Sequence, residues 1–306
     1  MNAVANRPIA HETLSKRRYD RPVILVATDG TASSHAAYTA AKLIAAENRA
    51  RVHVLSVVEA FPAVTQMPGS IVPAAGVEQT TIDALRADMV EQLLTLGQLA
   101  RWSTEILVGK PATVIAEVAK EREADLIIIG AGRHGMVDRL IGEETASNLA
   151  KVLQRPFLIA SPTLARLPER AVVALDLDRS DRTAFLRTLK LLGTPENVSV
   201  LHVTPRSESL GIDWAEFDDD YRADLAVAYG ELATALETLP GIRADLVIEH
   251  GEAAREITRF AEGANANLIV LGVKRRTPFA ITPGAGVAMK VARSAHCSVL
   301  LIPRRH

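Results

Sequence analysis

Short apolar, β-branched runs alternate with longer stretches of helical period along most of the chain. Val23 to Thr28 reads VILVAT after Pro22 and stops at Asp29-Gly30, the pattern of a buried strand. Ser33 or Ser34 can cap the helix that follows through Ala36, Ala40, Leu43 and Ile44. Val52 to Val58 reads as a second strand. Phe61 to Gly76 carries Pro62, Pro68, Gly69, Pro73 and Gly76 and reads as a long loop. Ile82 to Leu99 predicts an amphipathic helix, and Thr104 to Val108 a third strand ending at Gly109. Pro111 opens the next helix, where its missing N–H costs little. Leu126 to Ile129 predicts the fourth strand, Gly142 or Glu143 to Leu153 a helix, and Phe157 to Ala160 the fifth strand.

Strands alternating with helices imply a parallel, doubly wound α/β sheet with right-handed crossovers. The pattern then repeats. Ala171 to Leu175 ends at Asp176 as the first strand ends at Asp29, and Val198 to Val203 echoes Val52 to Val57. Asp213 to Leu239 predicts the long helix and Ala244 to Ile248 a strand. From Gly251 the match is ungapped at a spacing of 142 residues. Gly109 pairs with Gly251, Gly130 with Gly272, Arg133 with Arg275, Gly142 with Gly284, and Leu158 with Leu300. The expected organisation is a flexible arm over residues 1–20, a first domain over 21–161 and a second over 170–304, joined by the Pro-containing connector Ser161 to Arg170.

Composition narrows the function classes. The formal net charge of −1 supplies no basic field for non-specific nucleic-acid binding. No apolar run reaches the roughly 20 residues that span a bilayer, and the start of the chain has no signal-peptide core. The single cysteine, Cys297, excludes an internal disulfide and fits a reducing, cytoplasmic setting. Its place before the last strand reads as a small core hydrophobe rather than a nucleophile.

The stretch Ala124 to Ala146 carries the candidate chemistry. A strand ends at Gly130, a loop with Gly132 and Gly135 follows, and Gly142 opens a helix. Backbone N–H groups and a helix N-terminus can hold a phosphate there. Its copy is Ala266 to Ala288, with Gly272, then Lys274-Arg275-Arg276, then Gly284-Ala285-Gly286.

With Asp29 ending the first strand and a glycine loop after the fourth, each half resembles a domain of the universal stress protein family. The resemblance implies five parallel strands flanked by four helices in each half, the adenine nucleotide alpha hydrolase-like architecture. It also implies pairing of the domains through their fifth strands as an intramolecular pseudo-dimer, with a homodimer as a further expectation. Nucleotide-binding members carry G-x2-G-x9-G-[S/T], so the resemblance implies ATP as the ligand, with Mg only when nucleotide binds. Asp29-Gly30 or Asp176 would take the adenosine side. Gly130, Gly132, Arg133, Gly135 and Gly142, or Gly272, Lys274, Arg275, Gly284 and Gly286, would take the phosphates.

Both copies depart from that pattern. The first loop is one residue short, and Glu143-Glu144 stands where Ser or Thr is expected. A carboxylate about 4 Å from a phosphate at an effective dielectric near 20 repels by roughly 4 kcal/mol, although such residues also suit a helix N-terminus. The second loop lacks the middle glycine but carries three cations, so it is the expected phosphate holder.

His134 reads as a solvent-exposed loop histidine and Asp218-Asp219-Asp220 as an acidic helix start. Neither a metal-ligand spacing nor a Walker A pattern nor a nucleophile elbow occurs. No general acid and base pair stands out. The expectation is a stress-response binding or regulatory module and not an enzyme. A relative working through protein contacts without nucleotide is the alternative. An adenylating enzyme of the related fold ranks last, because S-G-G-x-D-S is replaced by Asp29-Gly30-Thr31-Ala32-Ser33-Ser34.

Overall fold

A computed structural model describes residues 21–30, 34–59, 74–131, 148–149, 154–174, 182–204, 218–273 and 284–303. The expected arm over residues 1–20 lies outside them. The first half contains β1 (Val23–Thr28), α1 (Ser34–Asn48), β2 (Arg51–Val58), α2 (Ala74–Thr95), β3 (Ser103–Val108), α3 (Pro111–Glu121), β4 (Leu126–Gly130) and β5 (Phe157–Ala160). The second contains β6 (Arg170–Ala174), α4 (Arg182–Leu191), β7 (Asn197–Thr204), α5 (Asp218–Glu237), β8 (Arg243–His250), α6 (Ala253–Gly263), β9 (Leu268–Val273), α7 (Gly284–Ser294) and β10 (Ser298–Pro303). Of the first half's expected fourth helix, Asn148 and Leu149 are described, and both are helical.

The strands form one sheet in the order β3-β2-β1-β4-β5-β10-β9-β6-β7-β8. Neighbours within each half are parallel. The seam between β5 and β10 is antiparallel, with Leu158 opposite Leu300, Ile159 opposite Val299 and Phe157 opposite Leu301. Leu158 and Leu300 are the residues that the 142-residue repeat makes equivalent. A residue facing its own counterpart marks a two-fold axis, so the internal repeat is also the symmetry of the seam.

Alternation along each strand feeds two cores. Ile24, Val26, Leu126, Ile128, Leu158, Val270 and Leu300 face α1, α2, α4 and α5 in one continuous cluster. Leu25, Ile127, Phe157, Ile269, Val299 and Leu301 face α3, α6, α7 and Leu149 in the other. Both clusters run through the two halves. Period-2 side chains that are apolar on both faces are what a sheet covered on both sides requires.

Side-chain bonds fasten the halves further. One Asn48 amide nitrogen donates to Ile44 O at 2.9 Å and to Leu191 O at 2.8 Å, joining the carboxyl ends of α1 and α4. Arg187 of the second half pairs with Asp125 of the first, whose other oxygen accepts Val23 N–H at 3.0 Å. Asn267, the repeat equivalent of Asp125, accepts from Glu169 and Arg170 N–H at 3.1 and 3.0 Å.

Both long helices stop short of their sequence-based ends, α5 at Glu237 rather than Leu239. α2 starts at Ala74, inside the expected loop, and stops at Thr95 rather than Leu99. Gly97 has φ +67° and donates to Leu94 O at 2.9 Å, while Gln98 N–H donates to Leu93 O at 2.9 Å. That is a Schellman ending, which turns the chain before the apolar Leu99 can extend the helix.

Because both cores cross the seam, Leu158→Ala should destabilise the whole chain. Leu158 is 1% exposed, so its truncation should cost about 2–5 kcal/mol. In urea, fluorescence and circular dichroism should show one cooperative transition moved to lower denaturant, with no separate melting of the first half.

Candidate functional site

The register of β1 and β4 brings the first half's candidate residues together. Ala27 lies opposite Ile129 on adjacent parallel strands, so Asp29 and Gly130 leave the same carboxyl edge side by side. Ligands of doubly wound sheets sit beyond such edges. In the second half, Gly272 lies in β9 opposite Ile302, and Gly284 and Gly286 belong to the first turn of α7. The antiparallel seam turns the two halves end for end, so their carboxyl edges lie at opposite ends of the sheet.

The Asp29 turn is held from several sides. The Ser34 hydroxyl donates to Asp29 Oδ1 at 2.8 Å and accepts Asp29 N–H at 3.4 Å. Ser34 is thus the first residue of α1, with its hydroxyl on the Asp29 carboxylate. Gly30 N–H donates to Thr28 Oγ1 at 3.1 Å, and Gln92 Nε2 of α2 donates to Gly30 O at 3.0 Å. Gly30 has φ +77°, and a Cβ there would approach the Leu85 side chain to 2.9 Å. The left-handed backbone calls for glycine, and a Cβ would also push the Leu85 side chain aside. A cleft of about 280 Å³ opens from Gly30 between α1 and α2, with His35, Thr39, Asp88, Glu91 and Gln92 on its walls.

Gly130 closes β4 opposite Ala160, and Ala131 N–H continues the ladder to Ala160 O at 2.9 Å. A Cβ at Gly286 would meet no atom within 4 Å. Among the described residues, packing does not require glycine there. Gly132, Arg133, Gly135, Gly142, Asp176, Lys274 and Arg275 lie outside the described residues, as do His134 and Glu143-Glu144. No group of three or more metal-ligating side chains occurs among the described residues, and no helix among them is long and apolar enough to cross a membrane.

One polar chain went unread in the sequence. His53 of β2 is buried. Its Nδ1 lies 2.8 Å from Ser103 Oγ and its Nε2 3.0 Å from Glu105 Oε2. Arg122, just past α3, donates to the same Glu105 oxygen at 2.9 Å. Burial, and then the Arg122 charge, push the His53 pKa down against the pull of Glu105. Fifty residues separate His53 from Ser103, and β2–β3 pairing alone sets them opposite each other. The available signal was a histidine inside the apolar run VHVLSVV and two polar residues, Ser103 and Glu105, at strand spacing.

Two outcomes follow. A histidine whose folded pKa is depressed gives stability that is present above its unfolded value near 6.5 and is lost as pH falls from there through the lower folded value. Unfolding free energy should therefore decline from pH 7.5 to 5.5, by at most about 1.4 kcal/mol per unit from this group. His53→Gln should flatten that slope. Cys297 is 6% exposed, and burial pushes its thiol pKa up to about 12. An aromatic disulfide reagent should react with it slowly in the native protein and promptly in urea.

The fold and its repeat agree with what known proteins show. The model of the universal stress protein family matches residues 21–161 and again 168–303. A universal stress protein of Methanocaldococcus jannaschii is 30% identical over 141 residues, covering 44% of this chain and 79% of that protein. The crystal structure of a universal stress protein from Archaeoglobus fulgidus superposes with a TM-score of 0.61 at 17% identity, covering 92% of this chain and 96% of its own. A putative universal stress protein from Pseudomonas aeruginosa gives 0.57 at 19% identity, with 93% of each chain covered. With the family's domain present twice along one chain and the two copies closed into a single sheet, the protein belongs to the universal stress protein family.

Proposed function

We propose that this universal stress protein is a stress-response binding and regulatory module whose ligand is an adenine nucleotide, ATP, held beyond a carboxyl edge of the sheet. The observation that carries the reading is the β1–β4 register, which sets Asp29 beside Gly130. An acceptor for a ribose hydroxyl and a strand-end glycine for phosphate approach then share one edge. The Ser34 hydroxyl fixes the Asp29 carboxylate before any ligand arrives, which lowers the ordering cost of binding.

In the second half, the glycines that open α7, with no described atom within 4 Å of a Cβ at Gly286, and the sequence Lys274-Arg275-Arg276 support phosphate binding. The two edges face opposite ways, so each half holds or loses its ligand by itself. We assign the stronger phosphate contact to the second half, because Glu143-Glu144 burdens the first with like charge. Magnesium enters this reading only with the nucleotide. The β5–β10 seam already supplies within one chain the pairing that separate domains would make, and association of two chains is a further step.

Titration calorimetry with ATP and Mg should give saturable binding. Lys274→Ala with Arg275→Ala should weaken it more than Arg133→Ala does. If the first edge is also occupied, Asp29→Ala should cost that edge roughly 1.5–3 kcal/mol, the worth of hydrogen bonds to a charged acceptor. No heat and no thermal shift at millimolar ATP would remove the nucleotide and leave a module that works through protein contacts. Turnover of ATP to AMP and pyrophosphate with a cosubstrate would instead revive the adenylating reading.

A further inference from the structure

The hydrogen-bonded chain on β2 and β3 lies at the amino end of the first half's strands, away from the Asp29 edge. Its protons can be placed by elimination. Glu105, ion-paired with Arg122 at 2.9 Å, is a carboxylate and offers only lone pairs. His53 Nε2, 3.0 Å from it, must therefore carry a hydrogen. In the neutral ring Nδ1 is then a bare acceptor. Two lone pairs would repel at the 2.8 Å that separates Nδ1 from Ser103 Oγ, so the serine hydroxyl donates to the imidazole. The other acceptor near that hydroxyl, Val52 O, stands farther off at 3.4 Å.

Access and shielding are divided in a useful way. His53 is 4% exposed, whereas Ser103 is exposed. Ser103 also begins β3, the outermost strand of the sheet on that side. An edge strand leaves alternate backbone N–H groups without a strand partner, and such donors can face a developing oxyanion. Ser103 thus lies at the surface while the base behind it stays dry.

We propose that Ser103 is a nucleophile activated by His53 as general base, with Glu105 and Arg122 as positioning residues, and that it accepts acyl groups from small activated esters. Ser103 Oγ attacks the ester carbonyl carbon, and its proton passes to His53 Nδ1 as the new C–O bond forms. The imidazolium returns that proton to the leaving oxygen as the ester C–O bond breaks. Acyl-Ser103 and neutral His53 remain. A water molecule then repeats the sequence, regenerating the serine hydroxyl and releasing the carboxylic acid.

A fluorophosphonate probe tests the assignment on the full chain. In this reaction the Ser103 oxygen displaces fluoride at phosphorus and His53 takes the serine proton. Peptide mass analysis should find one label per chain, on Ser103. Labelling should vanish in Ser103→Ala and slow at least about tenfold in His53→Gln, and hydrolysis of p-nitrophenyl acetate should follow the same order. Glu105→Gln covers the case in which His53→Gln fails to fold, and it too should slow the labelling. The charged groups facing His53 are Glu105 of β3 and Arg122 beyond α3. With the histidine pKa depressed, the pH midpoint of wild-type labelling should lie below the ordinary histidine value near 6.5, and Glu105→Gln should move it. No label on Ser103, or an unchanged rate in both His53→Gln and Glu105→Gln, would overturn the proposal. ATP binding by Ser103→Ala is measured alongside. It should be unchanged, which keeps this test separate from that of the nucleotide reading.

Discussion

The antiparallel pairing of β5 with β10 is the constraint on which the rest of the structure depends. β5 is four residues long, and Phe157, Leu158, Ile159 and Ala160 are all buried. Left as an edge, it would expose apolar side chains on both faces and a row of unpaired backbone groups. The second half covers it with its own equivalent strand. Leu158 facing Leu300 is the meeting of a residue with its counterpart, which a two-fold axis demands. The helices obey the same axis, since Asn48 bridges the ends of α1 and α4 beside it.

That geometry also fixes where chemistry can sit. Strands parallel within each half and antiparallel across the seam send the two carboxyl edges to opposite ends of the molecule. The two copies also differ in charge: Glu143-Glu144 in the first and Lys274-Arg275-Arg276 in the second. The Ser103–His53–Glu105 chain uses neither edge. It depends on an in-register pairing of β2 with β3 and on Arg122 pairing with Glu105.

Much of this was legible in the sequence, for identifiable reasons. Apolar runs of strand length between helical stretches gave the element order. The ungapped repeat of 142 residues placed Leu158 and Leu300 in equivalent positions before the seam set them face to face. The end of α2 was misplaced because Leu99 keeps the helical period, whereas Gly97 at φ +67° closes the helix first. His53 and Ser103 were not joined, because strand register between residues fifty apart leaves no local mark. At the carboxyl edge of the first half, Asp29 and Gly30 follow β1 beside the end of β4 at Gly130. Gly284 and Gly286 open α7 as their small-residue run implied. Loop conformation between strand and helix has no such period to read.

Native-state hydrogen exchange measures the central claim most directly, because it reports the seam strand by strand. If the two halves form one cooperative sheet, the amides of Phe157–Ala160 and Ser298–Pro303 exchange only through global unfolding. They would then share the free energy of the central strands β1, β4, β6 and β9. Rapid exchange of β5 and β10 while those four strands stay protected would contradict the account, since it would mean that the halves fold alone and merely touch.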